Sequence, residues 1–214
     1  MARPSVAVTI AFSLLFTSGA FADQIFINFE EPQGNYIPTP GVLQEVTDQF
    51  VPLGLTFRDR KSPGRGGILG QCGIGFGQVS LFGFGNDFSG CGDTRPDLDV
   101  LFVDPTDPTR AAFTDAFSIV NTDGLLQLSA YDRDGVLLGS TSAFDGVLSV
   151  SGVGRIFRIN LLSIDQDPTT LDNITFNAVT PVPEPTTIML LLSGLGLGVG
   201  VARRRAPRDE SRQV

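Results

Sequence analysis

The chain has 214 residues, a formal net charge of −8, no His, no Trp and a single Lys. The absence of histidine excludes Ser-His-Asp and Cys-His catalysis and the zinc sites that need imidazole. The sequence also lacks the G-x-x-x-x-G-K-[ST] run of a Walker phosphate site. An acidic chain does not have the charge pattern of a nucleic-acid-binding protein, so no nucleic-acid partner is expected.

Residues 1–22 have the order of a secretory signal peptide. Arg3 supplies a positive charge, a mostly apolar run of eleven residues follows, and Ala20 and Ala22 form a small-x-small cleavage site. The alternative is an N-terminal membrane anchor, but a bilayer span needs about 20 apolar residues. The sequence therefore predicts a signal helix that is removed, so that the mature chain begins at Asp23.

Residues 23–181 show hydrophobic alternation with a period of two, which is typical of strands that are buried on one face. Asp-Gly pairs between the alternating runs favour hairpin turns. The predicted strands are residues 24–30, 41–46, 52–58, 76–82, 98–103, 113–120, 125–132, 136–142, 147–151, 154–162 and 170–178. Many short strands with regular turns predict an all-β domain, an antiparallel β-sandwich for which a jelly roll is the first choice.

Cys72 and Cys91 are the only cysteines, and both lie in a Gly-rich stretch of the part predicted to be exported. An even cysteine count in an oxidising compartment predicts one disulfide between them. The alternative is a redox or metal-binding pair. The sequence gives that alternative little support, because it has neither a C-x-x-C motif nor a histidine.

Carboxylates are the only abundant chemical groups in this domain. Four of them, Asp97, Asp99, Asp104 and Asp107, fall within eleven residues. Two facing carboxylates about 5–10 Å apart can hydrolyse glycosides, so a glycoside hydrolase is one alternative. Aspartate is also an ordinary turn residue. No enzymatic activity and no catalytic residue are predicted.

The C-terminus has three parts in a fixed order. Val182, Pro183, Glu184 and Pro185 come first, and the prolines keep the backbone extended. Residues 186–202 carry no charge and are just long enough to predict a transmembrane helix. Arg203, Arg204 and Arg205 form a stop-transfer cluster, and residues 206–214 are a basic and polar tail.

This order resembles the PEP-CTERM sorting signal of Gram-negative bacteria, with residues 182–205 as the matching segment. The resemblance implies a precursor held in the inner membrane, from which an exosortase-type membrane protease removes the tail near Pro-Glu-Pro. The body would then reach the periplasm, the outer surface or the extracellular matrix, where such proteins are often associated with exopolysaccharide and biofilm. A simple C-terminal membrane anchor without sorting is the alternative, and the nine residues beyond the arginines depart from the family pattern.

Residues 112–176 resemble the closing strands of secreted PEP-CTERM bodies, which are similar in pattern to carbohydrate-binding jelly rolls. In those modules the first and last strands meet at a structural Ca²⁺, and the matching positions here are Glu30 and Asp172. A carbohydrate-binding module with this calcium ion is therefore the alternative function. Sugars usually stack on Trp or Tyr, and this chain offers only Tyr36, in a Pro-rich loop and a candidate for exposure, and Tyr131, expected to pack at a strand end. The Phe residues are expected in the core.

Overall fold

The computed structural model describes residues 23–39, 43–70, 80–82, 96–165 and 169–183. These residues form thirteen strands and one 3₁₀ turn, Val51–Leu53. The strands are β1 (Gln24–Ile27), β2 (Gln44–Val46), β3 (Leu55–Asp59), β4 (Gly67–Gly70), β5 (Ser80–Phe82), β6 (Asp97–Asp104), β7 (Asp107–Asp123), β8 (Leu126–Tyr131), β9 (Leu137–Ala143), β10 (Gly146–Ile156), β11 (Arg158–Ser163), β12 (Thr170–Asn177) and β13 (Thr180–Pro181).

Every paired strand is antiparallel, and the strands join in one continuous sheet that curls on itself. One half of the sheet has the order β2-β4-β5-β12-β7, with β1 also beside β12 and β10 on β7. The other half has the order β6-β11-β8-β9, with β3 on the outer side of β6. The hairpin between β6 and β7 joins the two halves. The prediction of an all-β antiparallel fold is confirmed.

The core lies between the two halves of the sheet. Phe102 on β6 packs edge-on against Phe117 on β7, with ring centroids 6.1 Å apart, and against Phe176 on β12 at 5.6 Å. Phe29, Phe50 and Phe57 are also fully buried. These positions agree with the expectation that most Phe side chains belong to the core, because an aromatic ring without a polar edge gains most from burial.

The predicted Asp-Gly turns are present. Gly124, Gly135 and Gly146 each have a positive φ, which glycine adopts without steric cost. At the second of these turns the carboxylate of Asp132 accepts hydrogen bonds from the amides of Asp134 and Val136, at 2.9 and 2.8 Å. The turns therefore separate the strands as the sequence indicated.

Several predicted features lie outside the described residues. They are the signal peptide at residues 1–22 with Ala20 and Ala22, the pair Cys72 and Cys91, the transmembrane segment at 186–202 and the cluster Arg203, Arg204 and Arg205. Within the part of the chain that is described, no helix is long and apolar enough to cross a membrane.

Candidate functional site

The last described strand lies on the edge of β7, where the body of the protein ends. In β13, Thr180 pairs with Phe113 and Pro181 pairs with Ala112. The ladder continues by one bond, because the amide of Val182 donates to the carbonyl of Ala111 at 3.0 Å. The segment that follows the body therefore starts as an edge strand and not as a free linker.

Arg110 fixes this edge from the side of the body. Its Nη2 donates to the carbonyl oxygen of Val182 at 3.4 Å, and its Nη1 lies 3.1 Å from Oδ2 of the buried Asp104. The hydroxyl and amide of Thr106 both donate to Asp104 Oδ1, and these bonds, with the charge of Arg110, hold the pKa of that carboxyl below its usual value. Asp104 is thus an ionised partner that orients the Arg110 guanidinium toward the carbonyl of Val182, where the C-terminal segment leaves the body.

Two adjoining clefts flank the same edge. One, of about 440 Å³, is lined by Val182 and Pro183 together with Arg155 and Phe113. The Arg155 guanidinium lies 4.7 Å from the centroid of the Phe113 ring, a distance at which cation and ring attract each other. The other cleft, of about 500 Å³, is lined in part by Arg110.

Positively and negatively charged side chains line these clefts. They include the turn Asp132, Arg133 and Asp134, which both clefts share, and Arg158 in the larger cleft. Four of the eight basic residues that the structure describes therefore lie around the place where the C-terminal segment leaves the body.

Glu30 and Asp172 lie close enough for their charges to interact. β1 pairs directly with β12, with Ile27 opposite Ile174, and Glu30 follows the end of β1 by three residues. Asp172 is only 7% exposed and precedes a bulge at Asn173, which has a φ of +43°. Burial raises the pKa of Asp172, a hydrogen bond from the Asn173 amide lowers it, and the charge of Glu30 raises it again.

This arrangement places the two carboxylates named in the sequence analysis near each other at one end of the sheet. A calcium ion takes six to eight oxygen ligands, so backbone carbonyls and water would have to complete such a shell. Within the described ranges, no group of three or more Cys, His, Asp or Glu side chains is placed to hold a metal ion. The pair therefore supplies only part of a calcium site.

The four clustered aspartates divide into two pairs with different partners. Asp97 and Asp99 lie on one face of β6, and the Asn160 amide donates to both, at 3.0 and 3.1 Å. Arg158 forms an ion pair with Asp99 at 3.2 Å, and Arg60 with Asp97 at 3.4 Å.

Asp104 and Asp107 instead accept hydrogen bonds at the β6–β7 hairpin. The amide and hydroxyl of Thr106 donate to Asp104, and those of Thr109 donate to Asp107. The structure thus brings Asp97 and Asp99 together in a network of bonds across the strands. It uses Asp104 and Asp107 to shape a turn.

The two tyrosines are placed differently. Tyr36 is buried, at 3% exposure, and its ring lies 5.4 Å from that of Phe50, so it is not the exposed stacking residue that its loop suggested. The reason is that the Pro-rich loop folds back onto the core, and burial raises the pKa of the Tyr36 hydroxyl. Tyr131 ends β8 beneath the Arg158 guanidinium, 4.2 Å from the ring centroid, which agrees with packing at a strand end.

Sequence reasoning missed the role of Arg110, Phe113 and Arg155. They become neighbours of the C-terminal segment only because β13 pairs with the start of β7, and Arg110 lies 72 residues from its partner Val182. One signal was available in the alternation of Pro181, Val182 and Pro183. Proline has no N–H group, so an edge strand tolerates it at positions that point away from the partner strand.

Comparison with known proteins identifies one segment of the chain. The sequence model of a family described as the PEP-CTERM protein-sorting motif matches residues 181–206. No curated protein matches the chain.

Two solved structures of Bacillus subtilis oxalate decarboxylase variants align with 82% of this chain at 12% identity, with TM-scores of 0.29 and 0.28. The chain covers only 38% of each of them. A cleaved adhesin domain of Lys-gingipain from Porphyromonas gingivalis aligns with 76% of this chain and 99% of its own, at 11% identity and a TM-score of 0.26. Overlaps this weak carry no argument about the fold or the activity.

Proposed function

Because the chain carries a PEP-CTERM protein-sorting motif, which supports sorting by an exosortase to the cell surface, we propose that it is a non-enzymatic component of the surface or extracellular matrix. The precursor is exported through its signal peptide and held in the inner membrane by residues 186–202. The exosortase then cleaves near Pro183, Glu184 and Pro185. The released body is a jelly-roll-like sandwich that associates with exopolysaccharide.

The observation that carries this proposal is the position of the motif relative to the body. The folded sheet ends with β13, and the matched segment begins at residue 181, within that strand. Cleavage near Pro185 would therefore remove the tail without cutting any strand of the described body. A protease at the membrane face could separate the two parts while the body stays folded.

The charge of the body agrees with a role outside the membrane. Residues 23–181 carry twenty acidic and nine basic side chains. A large negative charge favours solubility and keeps identical bodies apart. It also disfavours direct contact with strongly anionic polymers, so we expect the partner polysaccharide to be neutral, or to be bridged by divalent cations.

The first experiment is an intact-mass measurement on protein recovered from the outer surface of the host. The proposal predicts a chain that starts at Asp23 and ends near Pro185. The mass should rise by about 2 Da on reduction, one hydrogen atom for each sulfur of a Cys72–Cys91 disulfide. A recovered chain that still carries residues 186–214 would overturn the sorting proposal in favour of a simple membrane anchor.

A second candidate function is a carbohydrate-binding module with a structural Ca²⁺ held by Glu30 and Asp172. The observation in its favour is that the Asp172 pKa is raised by burial and by the Glu30 charge. A divalent cation bound by the two carboxylates would offset the repulsion between Glu30 and Asp172. It would also link β1 to β12.

The calcium candidate is tested by thermal unfolding with Ca²⁺ or with a chelator. We expect Ca²⁺ to raise the melting temperature of the wild-type chain and to have no effect on Asp172→Asn. Asp48→Asn, which removes an exposed carboxylate paired with Arg58, should retain the calcium response. An equal response in all three proteins would contradict the assignment, and retention on a polysaccharide column would test sugar binding separately.

A further inference from the structure

The cleft of about 440 Å³ lies where the described chain ends, because Val182 and Pro183 form part of its wall. In the sequence, only two residues separate Pro183 from the uncharged segment 186–202. Even a fully extended chain advances at most about 3.6 Å per residue, so residue 186 lies within about 11 Å of Pro183. Whatever surrounds the uncharged segment must therefore also lie close to this cleft.

Under the proposed function, the surroundings of that segment are a lipid bilayer. A bilayer is about 40–45 Å thick with its headgroups and about 30 Å thick without them, so each headgroup layer is roughly 5–7 Å deep. The distance from Pro183 to the uncharged segment is comparable with the depth of one such layer. In the precursor, the cleft therefore lies at or next to the phospholipid headgroups.

Two arginines of the cleft have no anionic partner in the described part of the chain. Arg133 and Arg155 are both exposed, and the one contact of these two guanidinium groups is that of Arg155 with the Phe113 ring, at 4.7 Å. Arg110 and Arg158, in the adjoining cleft, instead form ion pairs with aspartates. A guanidinium binds phosphate oxygens through two parallel hydrogen bonds, so Arg133 and Arg155 are suited to a headgroup phosphate.

The carboxylates of the cleft limit the kind of headgroup that fits. Asp132 accepts hydrogen bonds from the amides of Asp134 and Val136, so its carboxylate shapes the turn. The side chain of Asp134 is exposed beside Arg133. The cleft thus offers charges of both signs, which complement a zwitterionic headgroup with its phosphate and its ammonium group better than a purely anionic one.

Exposed apolar side chains follow the same turn. Val136 is 58% exposed and Leu137 is 54% exposed, at the start of β9. Apolar side chains gain free energy when they leave water for the hydrocarbon boundary of a bilayer. Exposed apolar groups beside charged ones are a feature of surfaces that bind membranes.

We propose that this end of the body docks on the phospholipid surface: Arg133 and Arg155 bind headgroup phosphates, and Val136 and Leu137 enter the interfacial layer. The inference rests on the proposed function for the insertion of residues 186–202 in the membrane. Docking holds the body in one orientation, with the end of β13 against the membrane. The sorting motif is then presented at the membrane face, where its protease acts.

The test uses the absence of tryptophan from the chain, because a single introduced Trp can be excited selectively. The full-length Val136→Trp variant is placed, one copy per disc, in nanodiscs of zwitterionic phospholipids brominated close to the headgroup. We expect its fluorescence to be quenched. The matched control is Val147→Trp, at a site 68% exposed that lies beyond the far end of β9, about 20 Å along the strand, and its fluorescence should not be quenched.

The arginines are tested in the Val136→Trp background. Arg133→Gln and Arg155→Gln should each lower the ratio of quenched to unquenched molecules, read from fluorescence lifetimes, about two- to fivefold, the range for an exposed charged contact. Arg58→Gln should leave the ratio unchanged, because Arg58 pairs with Asp48 and lies three strands away in the order β3-β6-β11-β8. Discs that contain phosphatidylglycerol should give the same ratio, since the phosphate is common to both kinds of lipid.

The possible results separate this inference from the proposed function. A chain that does not insert in the discs would refute the membrane-held precursor and the docking with it. Insertion with an unquenched Val136→Trp would refute the docking alone. Quenching that is insensitive to Arg133→Gln and Arg155→Gln, or that requires anionic lipid, would overturn the phosphate contacts. Slower processing of the arginine variants in the host, without quenching in the discs, would replace the lipid by a protein partner.

Discussion

Replacing Phe102 by alanine tests whether the two halves of the sheet share one core. The Phe102 side chain is 2% exposed, and its ring lies 6.1 Å from that of Phe117 and 5.6 Å from that of Phe176. Removing a buried phenylalanine costs about 3–5 kcal/mol, because apolar contacts are lost and a cavity remains. Domains have about 5–15 kcal/mol of stability in total, so this loss would be a large share of it.

The assay is urea denaturation of the mature chain, with Phe26→Ala as the matched control. The Phe26 side chain on β1 is 53% exposed, so its replacement should cost less than about 1 kcal/mol. The denaturant dependence should be unchanged in both variants if the folded and unfolded states keep their surface areas. Similar midpoints for the two variants would refute the packing of β6 over β7 and β12.

Three further predictions test local features of the structure. Because burial raises the pKa of Asp172 above its unfolded value, its ionisation destabilises the folded state as pH rises through the folded pKa. The lowered pKa of Asp104 acts in the opposite direction, so the decline should be measured in chelator as the difference in urea midpoint between the wild type and Asp172→Asn. Asn121→Ala should cost about 1–3 kcal/mol in the same assay, since the buried Nδ2 donates to three carbonyls in two turns. Gly54→Ala should lower the melting temperature for two reasons: φ at this position is +95°, and the new Cβ would lie 2.5 Å from Val179 Cγ2. Adding Val179→Ala should recover only the loss of stability that comes from this clash, because the backbone strain would remain.

The strands with regular alternation were predictable from the sequence. The segments 125–132 and 170–178 were predicted within one residue of β8 (Leu126–Tyr131) and β12 (Thr170–Asn177), because one face of each is buried and the other is polar. β4 (Gly67–Gly70) was missed, since all four of its residues are buried and a Gly-Ile-Leu-Gly run shows no alternation. A period-two pattern appears only where a strand has one solvated face.

The extent of β7 was also underestimated, and the reason is local. The prediction covered 113–120, whereas the strand runs from Asp107 to Asp123. Its first residues read as a turn because Asp-Pro-Thr combines three loop-forming residues. They are held in the sheet by pairing with β6 and by the bonds from Thr109 to Asp107. Tertiary pairing can override local preference in this way.

The candidate sites were predictable to different degrees. The proximity of Glu30 and Asp172 was expected from the resemblance to carbohydrate-binding jelly rolls. The pairing of β1 with β12 explains this proximity physically. The burial of Tyr36 could not be read from its loop, because it depends on contact with the Phe50 ring, fourteen residues further along the chain. The role of Arg110 could not be predicted for the same reason, because its contact with Val182 joins segments that are distant in sequence.

The pairing of β13 with β7 has a consequence for the chain after its tail is removed. A cut near Pro185 would leave Thr180, Pro181 and Val182 attached, so the ladder with Phe113, Ala112 and Ala111 would be retained. The outer side of this short strand would then present proline positions without N–H groups. Edges of that kind are poor templates for pairing with another chain. The prolines at 181 and 183 therefore also protect this edge of the sheet against pairing with another chain.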